Sequence, residues 1–423
     1  MIGKRASFMS IFLLFPLFLA GCAGESPDDG ATETDSDSGD RTQISFIHWR
    51  GEDKAVFDDI IAQFEEEFPE IGVEMNIYPS EQYQATGQRM LTDGSTGDVF
   101  TSFPGAQFEA IANAGFFEDL SDEDFVGNFD ESLISVGEKD GQQLALPYQL
   151  VFNMPVYNKG MFDELGLEVP KSWSAFQEMA DTLLENDITP IAFPGADIGP
   201  NQFMNSMMMN NAPDEAVFEK LQNGEESLTN EWWVKTLEDF QLLEQNGYIQ
   251  PDALGTSQDS AMAMVANEEA AMLATGSYHM ASLLALNPDL ELDLLAPITV
   301  EESEAQYEGI NTATFMLAIN SKSEKKEQAK EFLRFLSRPE IASQYANETG
   351  QHLTVNGVEY ESEVLQNTAY WIDERTTRFQ PRFLITNAQI EAAVLSSIEN
   401  VLGGAEPMEA AEEAQQIVDE NRE

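Results

Sequence analysis

Residues 144–162 read LALPYQLVFNMPVYNKGMF, and the fold of the whole chain turns on them. The first part is short and apolar with Pro147 inside it. Proline has no N–H to give to a ladder, so this is a strand at a sheet edge or one that switches sheets, not a central strand. Tyr157, Asn158 and Lys159, followed by Phe162, then open a new amphipathic segment. The stretch therefore predicts a crossing between two bodies.

Upstream of it, strand and helix alternate. Residues 43–48 read as a strand, and 52–68 as a helix with Val56, Ile60, Ile61, Phe64 and Phe68 on one face before Pro69 stops it. Val73, Met75 and Ile77 alternate as a second strand; a polar helix over 80–90 follows, with Asp93-Gly94 as its stop. A short strand at 98–100 and a helix over 106–113, ended by Gly115, complete the series. Such alternation is the pattern of a parallel sheet covered on both faces, and its ligands bind beyond the carboxyl ends of the strands. That rule points to the loops 48–53 and 101–105.

Downstream a second series begins. Ser172 is the expected N-cap of a helix that turns Phe176, Met179, Ala180, Leu183 and Leu184 to one side. A strand at 189–193 ends in a turn-rich loop over 194–200, and a strand at 270–274 ends at Thr275-Gly276-Ser277-Tyr278. Residues 293–297 would cross back, and 314–319 with a helix over 325–336 would complete the first body. The remainder, with a helix over 390–401, would return to the second. Trp232 and Trp233 are adjacent on a helix and cannot share one face, so one is expected to be exposed near the cleft. Met207, Met208 and Met209 are expected to fill core.

At the start, Lys4 and Arg5 precede an apolar run over 8–19 and then Ala20-Gly21-Cys22, the pattern of an export signal too short to span a membrane. Cys22 is the sole cysteine, so disulfide, Fe–S and Cys-metal readings fall away. Residues 23–40 are small, polar and acidic, which describes a solvated tether. The chain of 423 residues carries 76 acidic and 21 basic side chains, net −55, which argues against nucleic-acid and anionic-membrane binding. The three histidines stand in no metal-ligand spacing, and no phosphate-binding glycine loop or H-E-x-x-H occurs. No cofactor is expected.

Several of these stretches resemble family 1 extracellular solute-binding proteins, the carbohydrate receptors of ABC importers. Pro147-Tyr148 leading through an apolar run to Tyr157-Asn158-Lys159 resembles their crossing segment, here interrupted by Met154-Pro155. Gly97-Asp98-Val99-Phe100 resembles their Pro-Asp-Val strand, with Gly97 for the proline. Thr275 to Tyr278 resembles their Gly-x-Trp/Tyr loop, 323–336 their Ser-Lys-x-x-Glu-x-Ala-x-x-Phe helix, and Leu19-Ala20-Gly21-Cys22 the bacterial lipobox with its acylated cysteine. The resemblance runs over about residues 43–401. It implies an α/β, two-lobe periplasmic-binding-protein fold, each lobe a mixed, mostly parallel sheet flanked by helices, joined by a multi-strand hinge. The expected division is 1–21 signal peptide, 22–40 lipidated cysteine and tether, 41–150 with 298–340 the N-terminal lobe, and 151–297 with 341–423 the C-terminal lobe. The protein would be exported and held by lipid on the outer side of the membrane. As a monomer it would bring a carbohydrate to permease subunits.

A sugar offers hydroxyls, which need paired donors and acceptors, and ring faces that aromatic side chains cover. Among residues in the strand-end loops and the crossing stretch, Trp49, Phe103 and Tyr278 are the candidate ring platforms, while Arg50, Glu52, Asp98, Gln149, Asn153 and Asp197 can bond hydroxyls. Structural roles stand beside each: Trp49 as core, Glu52 as a first-turn acid favoured by the helix dipole, Asp98 as a loop cap. Two other functions are compatible with the sequence. One is an extracellular glycoside hydrolase or lyase with paired carboxylates across a cleft. The other is the same fold holding a cationic or peptide solute.

Overall fold

The computed structural model of the protein describes residues 41–422 apart from Asp93 and Ser95. The expected signal, Cys22, the tether and Asp93 lie outside the described residues. From its first described residues the chain lays down β1 (Thr42–His48), β2 (Ile71–Ile77) and β3 (Val99–Ser102). It then runs along β4 (Leu146–Phe152) into β5 (Val156–Asn158) and builds a second sheet with β6 (Thr189–Ala192), β7 (Ala270–Leu273) and β8 (Leu292–Leu294). The long β9 (Gly309–Ile319) returns to the first sheet, followed there by β10 (His352–Leu353) and β11 (Thr377–Phe379).

The first sheet has the order β10-β4-β9-β3-β1-β2, with β11 paired to β9. The strand–helix alternation gives the parallel pairs β1 with β2 and β1 with β3, whereas β9 runs antiparallel to both β3 and β4. The second sheet has the order β8-β5-β7-β6. Apolar residues of β1 and the helix Lys54–Glu67 make the first core, with Phe46 edge-on to Phe57 at 5.4 Å and to Phe332 at 5.6 Å. The helix Trp173–Glu185 begins where Ser172 Oγ accepts from Ala175 N at 3.2 Å, and it packs Trp173, Phe176, Met179 and Leu183 into the second core.

The stretch 144–162 does what its sequence suggests. Pro147 sits one strand in from the edge, tolerated because β10 is only two residues long and reaches Leu150 and Gln149 but not Pro147. Past Phe152 the chain breaks at Asn153-Met154-Pro155 and joins the second sheet as β5. Further crossings lie between β8 and β9 and between β11 and the helix Ala388–Leu402, so among the described residues three segments connect the lobes.

The return to the second lobe comes later than expected. Ile341, Ala342, Tyr345 and Ala346 of the helix Pro339–Thr349 pack in the same core as Phe46, and β10 and β11 belong to the first sheet. The helix Pro339–Thr349 and the strands β10 and β11 therefore complete the first lobe, the helix through the core it shares with Phe57 and Phe64, whereas Tyr370 and Trp371 between those strands pack against the second, Tyr370 OH donating to Asp293 Oδ1 at 2.9 Å. The tryptophan pair is also placed differently: Trp232 and Trp233 are both buried. Their helix, Glu231–Gln245, is covered on more than one side, with Trp232 against Phe218 and Trp233 Nε1 donating to Ser397 Oγ at 3.1 Å. Met207, Met208 and Met209 fill core as expected.

Candidate ligand-binding cleft

The turn after β1 is held by buried charge. Arg50 donates its backbone N–H to His48 Nδ1 at 3.1 Å, and its guanidinium grips Asp53 through Nε–Oδ2 at 2.7 Å and Nη2–Oδ1 at 2.9 Å. Glu52 adds a contact at 3.2 Å from the exposed side. Burial alone would lower the Arg50 pKa, but Asp53 and Glu52 beside it push it well above the ordinary value. This turn sets Trp49 against Phe103, with ring centroids 3.7 Å apart and nearly parallel, and Phe315 closes the edge at 5.0 Å. Phe315 reaches there with a left-handed φ of 49°, a backbone state costing about 1–3 kcal/mol for a bulky residue.

The facing wall comes from the second sheet. Asp197 Oδ2 accepts from Gln258 N at 2.6 Å, tying the loop after β6 to the start of the helix Gln258–Ala266. Tyr278 follows β7, tilted against His279 with centroids 4.5 Å apart. Gly276 is required by close approach: a Cβ there would lie 2.5 Å from the Tyr278 ring and 3.0 Å from Phe152 O. Across the cleft Gly105, at φ +77°, lets the first lobe approach the backbone of Phe383, whose carbonyl a Cβ would meet at 2.9 Å.

The floor is the crossing itself. Gln149 pairs with Thr314 and Val151 with Thr312 across β4 and β9, so the period of two turns these residues and Asn153 to one face. Together the walls and floor enclose about 460 Å³, within the range of about 300–1,000 Å³ that takes small-molecule ligands. Among the described residues, five buried polar atoms of its lining side chains have no partner: Asn153 Oδ1, Gln202 Oε1, Tyr278 OH, His279 Nδ1 and Thr314 Oγ1. A larger hollow of about 760 Å³ meets the cleft at Phe383, but none of its lining side chains carries such an atom. Burial lowers His48 and His279 to about 3, so both rings are neutral, and burial raises the Tyr278 phenol.

The structure brings Trp49, Arg50, Glu52, Phe103, Gln149, Asn153, Asp197 and Tyr278 around this one cleft. Asp98 is elsewhere. It is fully buried under β1, where it accepts from Ser45 N at 2.8 Å, bonds Ser323 Oγ and pairs with Lys325 at 3.2 Å, fastening β1 to the helix Lys326–Leu336. Trp49 and Phe103 stack on each other, so they form one platform rather than two. His279, Gln202, Asp259, Thr312, Thr314 and Phe383 also line the cleft. Thr312 and Thr314 carried a signal, being polar at alternate positions of a mostly apolar strand; Gln202 and Phe383 carried none.

The family model of the bacterial extracellular solute-binding protein matches residues 49–343. The multiple sugar-binding protein of Streptococcus mutans is 22% identical over 361 residues, covering 84% of this chain and 83% of that protein. The melibiose/raffinose/stachyose-binding protein of Bacillus subtilis is 22% identical over 397 residues, 90% and 89% of the two chains. Among solved structures, a chitin oligosaccharide binding protein superposes with a TM-score of 0.79 at 19% identity, over 91% of this chain and 100% of that one. A solute-binding protein in complex with raffinose gives 0.78 at 18%, over 90% and 99%. At these identities the two structures establish a shared fold.

Proposed function

The chain belongs to the bacterial extracellular solute-binding proteins, and from that premise we propose that it captures a sugar or oligosaccharide between its lobes and delivers it to the permease of an ABC transporter. The observation that carries the reading is the set of five unpartnered buried polar atoms around a stacked Trp49–Phe103 platform. Neutral donors and acceptors of this kind match hydroxyls, and the platform covers a ring face. The relatives named for multiple sugars and for melibiose, raffinose and stachyose support it. Contacts to both lobes make closure favourable, since a ligand shifts a conformational equilibrium only by its differential affinity.

Calorimetry against raffinose, stachyose and chitin oligosaccharides tests the reading, with the sugar recovered afterwards. Binding with the sugar intact is expected; released products would instead support an enzyme, and binding only of amines or peptides would support the non-sugar alternative. Asp197→Ala and Tyr278→Ala are each expected to weaken binding by about tenfold, the loss of roughly 1.4 kcal/mol of hydroxyl or ring contact. Near wild-type affinity in both would place the ligand elsewhere.

The proposal extends to an export signal and a lipid on Cys22, which holds a monomeric receptor at the outer face of the membrane. Cys22→Ala should move the protein out of the membrane fraction and remove the acyl mass. Unchanged retention and mass would exclude the anchor.

A further inference from the structure

Tyr345 lies behind the cleft wall and does not line it. It is fully buried, and its hydroxyl connects two groups: it donates to Asp53 Oδ2 and accepts from Gln149 Nε2 at 2.6 Å. The order of these bonds is forced. Asp53, gripped at both oxygens by Arg50, can only accept. The single Tyr345 proton therefore goes to Asp53, and only lone pairs remain for Gln149. Gln149 must meet them with its NH2, which leaves Oε1 as the end presented to the cleft. Gln149 is itself 1% exposed, so bulk water does not compete for the bond that sets its amide.

We infer that Tyr345, set by Asp53 and Arg50, is a specificity-determining positioning residue that holds Gln149 with its carbonyl toward the ligand, so that the ligand must offer a hydrogen-bond donor there. The inference takes its ligand from the carbohydrate reading and its mechanism from geometry alone. A sugar hydroxyl can donate at that point; a fluorine in its place cannot, and it leaves Gln149 Oε1 unpaired. Removing the Tyr345 oxygen frees the amide to turn and offer its NH2 instead.

Two measurements test this. In ligand-free protein labelled with 15N-glutamine, the Gln149 amide protons should show nuclear Overhauser contacts to the Tyr345 ring. Contacts to Thr314 or Val151 in their place would overturn the inference without recourse to any variant or ligand. In the second, raffinose and analogues with single hydroxyls replaced by fluorine are titrated. Wild-type protein should reject at least one analogue by about tenfold, and Tyr345→Phe should shrink that ratio to within about threefold. A purely structural role would weaken the parent sugar and its analogue equally, and an unchanged ratio overturns the inference. Wild-type protein that binds no sugar counts against the carbohydrate reading only, and the amide contacts still decide the role of Tyr345.

Discussion

Asp53→Ala is expected to destabilise the folded protein by about 3–5 kcal/mol, the penalty for stripping one partner from a buried ion pair. Arg50 is 5% exposed and Asp53 2%, so the guanidinium left behind cannot recover its water. Glu52 is a poor substitute, being exposed and 3.2 Å away at Nη1. The Tyr345 hydroxyl loses its acceptor at the same time. Against a typical domain stability of about 5–15 kcal/mol this is a large share. Urea unfolding measures it, and the double variant Arg50→Leu with Asp53→Ala should recover much of the loss because no lone charge remains. A single variant within about 1 kcal/mol of wild type would mean the pair is solvated, against the burial described above.

Acidification from pH 8 to pH 5 should cost about 2 kcal/mol for each of three buried histidines. Burial holds His48 and His279 at about 3 and His352 at about 4 in the folded state, whereas the unfolded chain binds these protons near 6.5. Their contribution is complete above 6.5 and is lost as pH falls toward the folded values. His48 adds a geometric reason, since its Nδ1 accepts from Arg50 N and a protonated ring could not. Carboxyl burial opposes the trend, raising Asp293 and pushing Asp239 to about 6, so that proton uptake by Asp239 favours the folded state by about 1 kcal/mol at pH 5. The histidines outweigh it. Urea unfolding at constant high salt, which screens the net charge of −55, measures the difference. His279→Gln should remove about a third of the loss, and equal stability at both pH values would contradict the burial of these rings.

The crossing was legible because 144–162 combines an apolar run, a proline that excludes a central strand and a fresh amphipathic start. The strand-end rule found the cleft for the same reason, since it depends only on where strands stop. What escaped depends on short or remote pairings. The strands His352–Leu353 and Thr377–Phe379 are too short to show a period, so the chain's second return was placed too early. Asp98, at the start of the strand 98–100, was a candidate to bond ligand hydroxyls. Its partners Ser45, Ser323 and Lys325 come from distant parts of the chain, and no local pattern announces them. Trp232 and Trp233 misled because a second covering helix cannot be read from their own.

The placing of the aromatic residues has an optical consequence. Of five tryptophans, Trp173, Trp232, Trp233 and Trp371 are buried away from the cleft, and only Trp49 borders it half-buried, its ring wetted whenever the lobes hold nothing. A solute that displaces that water changes the surroundings of one indole and leaves the other four as a constant background. Ultraviolet emission from the unlabelled protein thus becomes a gauge of occupancy, reading filling and emptying of the cleft in real time.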